Sequence, residues 1–130
     1  MINFNLPAPP SANRIWRVGK GRMHKAPEYT AWLDISLWNL KEQLRDKMPA
    51  EPLTGPYAVF ITVRPQDKRY RDIDNYAKPI LDFLQYGDRP LITDDKHVTQ
   101  LSIVRGRLAD RHCVQIQLYS PDQTQPPSQS

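Results

Sequence analysis

The sequence predicts a single α/β (α+β) domain in which a mixed sheet of four or more strands packs against two helices. Three observations predict it. Several segments alternate apolar and polar residues or carry short apolar runs, and two longer ones repeat apolar residues every three to four positions. The 130 residues suffice for one core and are too few for a second.

Ile2, Phe4 and Leu6 alternate with Asn3 and Asn5, the period of a strand with one face on the core, and Pro7, Pro9 and Pro10 stop it. From Ser11 to Lys25 the apolar period gives way to Arg14, Arg17, Lys20, Arg22 and Lys25 around Trp16, with Gly19 and Gly21 permitting a turn. That is a basic loop or short hairpin. Pro27 suits the first position of a helix, and Tyr29, Leu33, Leu37, Leu40 and Leu44 follow at helical spacing until Pro49. Trp32 and Ser36 widen this stripe, while Trp38 and Glu42 fall nearer the opposite side.

Tyr57, Val59, Ile61 and Val63 alternate with Ala58, Phe60 and Thr62, so both faces are largely apolar, as expected of a central strand. Tyr76, Ile80, Phe83 and Leu84 indicate a second helix that Gly87 closes in a left-handed conformation. With Asp74 or Asn75 as its N-cap, Pro79 falls at the fourth or fifth helical position, where the missing N–H costs a backbone bond. Val98 to Val104 and Cys113 to Tyr119 read as two strands joined around Gly106. The domain is expected to span 1–119. Residues 120–130, rich in Pro, Gln and Ser, are expected to form a disordered tail.

Eighteen Lys and Arg against fourteen Asp and Glu leave a formal charge of +4, which favours polyanionic partners. The single cysteine, Cys113, excludes an intrachain disulfide and reads as a buried strand thiol, and no Cys/His spacing suggests zinc. With neither a signal-like start nor an apolar run long enough to span a bilayer, a cytoplasmic protein without a membrane partner is expected. No serine or cysteine nucleophile arrangement and no Gly-rich phosphate loop is present, which removes acyl transfer and P-loop chemistry and leaves no sign of an organic cofactor. His24, His97 and His112 lack metal or nucleophile-base spacing.

The acidic residues carry the chemistry. Asp72 and Asp74 are two residues apart, so on an extended backbone both carboxylates point the same way, and Mg²⁺ takes one or two such oxygen ligands plus water and phosphate oxygens. The alternative is that Asp74 or Asn75 caps the second helix. Asp94 and Asp95 form a second acidic pair, either a further part of a metal site or a solvated turn. Lys78 stands four residues from both Asp74 and Asp82, which suits a surface ion-pair ladder or an ammonium set against a scissile phosphate. Arg14, Trp16, Arg17, Lys20, Arg22, Lys68, Arg69 and Arg71 are candidate DNA contacts, Trp16 either stacking on an unpaired base or filling the core.

The run Asp72-Ile-Asp-Asn-Tyr-Ala-Lys78-Pro-Ile-Leu-Asp82-Phe-Leu84, followed by Asp94-Asp95, resembles the RusA family of Holliday-junction resolvases. So does Leu6-Pro-Ala-Pro-Pro-Ser-Ala-Asn-Arg14-Ile-Trp-Arg17, and the similarity extends from Ile2 to Tyr119. The resemblance implies a homodimer of mixed α/β fold, bacterial or phage-encoded, that cuts four-way or branched DNA symmetrically and needs Mg²⁺, with Mn²⁺ able to substitute. It implies that Asp72, Asp74 and Asp95 are metal-site carboxylates, Asp94 being the alternative or supporting acid, and that Lys78 is a catalytic base or phosphate contact. Tyr76 and Pro79 are local departures around Lys78. The competing readings are a non-catalytic DNA-binding module and a metal-dependent phosphohydrolase acting on small molecules.

Overall fold

The computed structural model describes residues 1–10, 16–19, 22–69 and 72–120, with the backbone alone at 16–19 and 22–24. Strand β1 spans Ile2–Pro7, β2 Trp16–Gly19, β3 Arg22–Lys25, β4 Tyr57–Arg64, β5 Val98–Arg105 and β6 Cys113–Tyr119, with helices α1 at Pro27–Leu44 and α2 at Ala77–Leu84. The main sheet has the order β1-β6-β4-β5 and is mixed: β6 runs antiparallel to both β1 and β4, and β5 is parallel to β4. This is the expected α+β architecture, with β4 inside the sheet.

β5 and β6 follow each other around Gly106 but do not pair, because β6 inserts between β1 and β4. Parallel β4 and β5 require a crossover, and that crossover contains α2. The basic segment before α1 forms an antiparallel hairpin, β2 with β3.

Phe4 and Leu6 face the helices together with Tyr57, Val59, Ile61 and Val63 of β4 and Val114, Ile116 and Leu118 of β6. α1 contributes Tyr29, Trp32, Leu33, Leu40 and Leu44, the expected stripe, and leaves Trp38 64% exposed. Pro27 starts it and Glu28 complements the positive end of its dipole. Trp32 Nε1 donates to Pro7 O at 2.9 Å, tying α1 to the end of β1. Gln43 accepts from Asn5 N–H at 2.8 Å and donates to Asn5 O at 2.6 Å, so an α1 side chain occupies backbone groups of the β1 edge.

α2 buries Pro79, Ile80, Phe83 and Leu84, with the Phe83 ring 5.9 Å from Trp32 and 6.2 Å from Phe4. Ile80 is fully buried, so Ile80→Ala should cost about 2–5 kcal/mol. The second helix differs from expectation at its start. A 3-10 turn at Ile73–Tyr76 precedes it, and the N-cap of α2 is Tyr76. Pro79 therefore sits in the first turn of α2, where an N–H has no intrahelical partner to lose. Gly87 has φ +92°, and a Cβ there would meet Leu37 Cδ2 at 3.1 Å. Cys113, expected buried, lies half-buried at the first position of β6. Among the described residues no helix is long and apolar enough to cross a membrane.

Candidate metal and nucleic-acid site

The crossover from β4 to β5 carries both acidic pairs. Asp72 and Asp74 lie where it begins, and Asp94 and Asp95 where it ends. Its first part is held by the end of β5 and the connection that follows: Arg105 donates to Arg69 O at 3.1 Å and to Asp67 O at 3.3 Å, and Ala109 N–H to Pro65 O at 3.0 Å, while Gly106 N–H donates to Val63 O of β4 at 2.8 Å. Asp67 accepts from Arg69 N–H at 3.0 Å, a local turn that leaves the Lys68 and Arg69 side chains exposed.

Asp72 precedes the 3-10 turn on extended backbone (φ −71°, ψ 110°), and Asp74 lies inside that turn. The alternation argument for the pair therefore fails, because only one of the two residues is extended. Neither the 3-10 turn nor α2 has a side-chain N-cap bond, so capping does not explain these aspartates. Both are exposed. The 3-10 turn packs against β5, the strand into which Asp94 and Asp95 lead. Its last residue, Tyr76, is buried with its hydroxyl 2.7 Å from His112 Nε2 and its ring edge-on to the imidazole at 5.9 Å. His112, which showed no functional spacing in the sequence, thus fixes the end of the acidic turn.

The segment that leads to the second pair is anchored on the end of α2 and the start of β4. Leu84 O accepts from Leu91 N–H at 2.9 Å and from Ile92 N–H at 3.1 Å, and the Tyr57 hydroxyl donates to Leu53 O and lies 3.1 Å from Thr93 Oγ1. Asp94 caps a further 3-10 turn, Asp95–His97, its Oδ1 accepting from Lys96 N–H at 2.9 Å. That backbone bond, aided by the Lys96 charge, holds its carboxyl below the usual carboxylate range. Asp95 is exposed within the turn. Asp94 caps this turn and Asp95 opens it, so neither residue enters β5 directly.

Among the described residues, no group of three or more His, Cys, Asp or Glu is drawn close enough to hold a metal ion by itself. Asp72, Asp74 and Asp95 thus do not form a ready-made three-carboxylate cage. The donors available are hard carboxylate oxygens without a thiolate or imidazole among them, a set that fits Mg²⁺ or Mn²⁺ rather than zinc. Two exposed carboxylates also suit an ion that takes its remaining ligands from water and phosphate.

Lys78, on the first turn of α2, reaches Asp82 Oδ1 at 3.4 Å rather than Asp74, forming one rung of the expected ladder. The other oxygen of Asp82 accepts from the Tyr29 hydroxyl at 2.6 Å. Burial first, and this bond second, push the Tyr29 phenol well above its ordinary range. The Tyr86 phenol, which donates to Asp34, is raised too, chiefly by that bond. Nothing in the sequence linked Tyr29 to Asp82 across 53 positions.

Of the predicted DNA contacts, Lys68 and Arg69 are exposed beside the acidic turn. Arg14, Lys20 and Arg71 lie outside the described residues, and Trp16, Arg17 and Arg22 are described in backbone only, on the β2–β3 hairpin.

A family model described as Endodeoxyribonuclease RusA matches residues 7–119. A crossover junction endodeoxyribonuclease RusA of Escherichia coli K12 is 32% identical over 103 residues, covering 79% of this chain and 81% of the relative. The protein of the same name from Enterobacteria phage 82 matches to the same extent. One from Aquifex aeolicus VF5 is 34% identical over 80 residues, covering 62% of this chain and 60% of the relative.

Proposed function

The chain belongs to the RusA family of endodeoxyribonucleases, and from that premise we propose that it resolves four-way DNA junctions by paired symmetric nicks in recombination, repair or the processing of phage DNA. The observation that carries this reading is the acidic turn itself. Two exposed carboxylates, neither explained by helix capping, stand between a clamped basic loop and a helix that presents Lys78 one turn later.

Asp72, Asp74 and Asp95 are the proposed ligands of Mg²⁺, for which Mn²⁺ substitutes, with Asp94 as the alternative to Asp95. The bound ion supplies a water of lowered pKa and charge neutralisation at the phosphate. Asp72 and Asp74 bring two negative charges to that point, and the turn held by Tyr76 and His112 fixes their spacing. Lys78, once it exchanges Asp82 for a phosphate oxygen, offsets charge that develops as the phosphodiester breaks. Asp82 then keeps the Tyr29 hydroxyl as a partner. Arg14, Trp16, Arg17, Lys20, Arg22, Lys68, Arg69 and Arg71 grip the flanking DNA.

The active form is proposed to be a cytoplasmic homodimer, whose two-fold axis matches the two opposed strands of a junction. Its nuclease domain is proposed to span 1–119; of the tail expected at 120–130, residues 121–130 lie outside the described residues. Single-turnover cleavage of a synthetic four-way junction, with Mg²⁺, with Mn²⁺ and with chelator, tests the proposal against duplex and single-stranded controls. Metal-dependent nicks on opposed strands of the junction support it. Binding without cleavage points to a DNA-binding module, and turnover of a small phosphate diester without junction preference points to a phosphohydrolase.

A further inference from the structure

Between the end of β3 and the outer side of α2 lies an open recess of about 320 Å³ lined by Lys25, Lys78, Asp82, Gln85 and Tyr86. Lys25 Nζ stands 5.9 Å from the Tyr29 ring centroid and 5.8 Å from that of Tyr86. Two aromatic faces therefore hold this ammonium in place by cation–π attraction, which leaves its N–H donors free to point outward. No carboxylate partner of Lys25 is present among the described residues. Lys78 uses a donor on Asp82 and is otherwise 58% exposed.

Asp82, the one carboxylate of the lining, is already matched on both oxygens, by Lys78 at 3.4 Å and by the Tyr29 hydroxyl at 2.6 Å. Asp34 lies behind Tyr86 and is taken up by its hydroxyl. Two ammoniums against one compensated carboxylate leave the recess one positive charge in surplus, with donors to spare and room for more than water. We propose that this recess is a phosphate subsite, in which Lys25 holds a backbone phosphate of the DNA substrate next to the scissile one that Lys78 contacts. The inference rests on the nuclease reading, and it assigns to Lys25 a contact that the sequence did not mark.

The tyrosines make the subsite more than a charged patch. A lysine on a flexible stem loses rotamer freedom when it binds, whereas Lys25 is already restrained between two rings, so less is lost on contact. Both phenols hold their protons, so neither opposes an anion at neutral pH.

The test is the salt dependence of binding to a four-way junction in Ca²⁺ or chelator, so that no strand is cut, for the wild type, Lys25→Gln, Lys25→Arg and Lys47→Gln. Lys47 follows the far end of α1 and serves as a matched loss of charge. Each phosphate contact contributes about 0.9 to the slope of log affinity against log salt. Lys25→Gln should lower the slope by about that amount, so its deficit against wild type shrinks about 3.5-fold between about 50 and 200 mM salt. Lys25→Arg and Lys47→Gln should keep the wild-type slope. A steep wild-type slope that Lys25→Gln leaves unchanged overturns the subsite and spares the nuclease reading. A flat wild-type slope overturns both.

Discussion

Tyr29→Phe removes one hydroxyl and nothing else, and the structure sets its cost. The Tyr29 ring is fully buried, stacked on Trp32 at 6.1 Å with an 11° tilt, so packing survives the change. Lost is the 2.6 Å bond to Asp82, a hydrogen bond to a charged group worth about 1.5–3 kcal/mol. Asp82 is 22% exposed and keeps Lys78, so water replaces part of the loss and about 1.5 kcal/mol remains. For a domain of this length that corresponds to about 6 °C in Tm. Because the folded state raises the phenol above its ordinary value of 10.0, the contribution is complete below that pH and is lost progressively as pH rises from there towards the raised folded-state value. Calorimetry of both proteins from neutral to alkaline pH should show a gap in Tm that narrows above about pH 10. A variant that melts within about 1 °C of wild type at pH 7, against the 6 °C worked out above, would refute the claim that this bond is made in the folded protein.

Asp95→Asn should remove nearly all junction cleavage while Asp94→Asn leaves a measurable fraction with a weakened response to Mg²⁺, and reversed severities would move the ligand assignment by one residue. In carbon-detected titration the Asp94 carboxyl should titrate below its ordinary 3.8, so its contribution to stability is present above that pH and fades as pH falls; a midpoint at or above 3.8 contradicts the capped turn. Tyr76→Phe should lower the single-turnover cleavage rate about tenfold with junction affinity unchanged, as expected for a residue that positions the acidic turn. His112→Gln, which retains a donor and an acceptor for the phenol, should lose less than His112→Ala; equal losses would argue against the bond.

Local pattern carried most of the fold. The period of two in Ile2 to Leu6 and the helical spacing from Tyr29 to Leu44 identify elements because each buries one face, and the continuous apolar run from Tyr57 to Val63 identifies a strand buried on both. The insertion of β6 between β1 and β4 was not legible, since pairing across the chain leaves no local period. The acidic residues of the candidate site were readable from type and spacing, but not their backbone: a 3-10 turn at Ile73–Tyr76 takes Asp74 out of the extended geometry expected for the first pair, and another at Asp95–His97 holds the second. The contacts of Tyr29 with Asp82, Tyr76 with His112 and Arg105 with the backbone at 67 and 69 join residues 36 or more positions apart, which only the folded chain brings together.

Asp72 and Asp74 are the proposed ligands of the divalent ion on which junction cleavage by this chain would depend. The most direct test of that assignment is to measure junction affinity and single-turnover cleavage side by side for Asp72→Asn and Asp74→Asn, together with direct binding of Mn²⁺ followed by its paramagnetic resonance. Asparagine keeps the shape and one oxygen of each ligand but removes its charge. Both variants should bind the junction at least as tightly as wild type, lose Mn²⁺ binding and cleave nothing. Cleavage near the wild-type rate by either one, with Mn²⁺ still bound, would contradict the assignment.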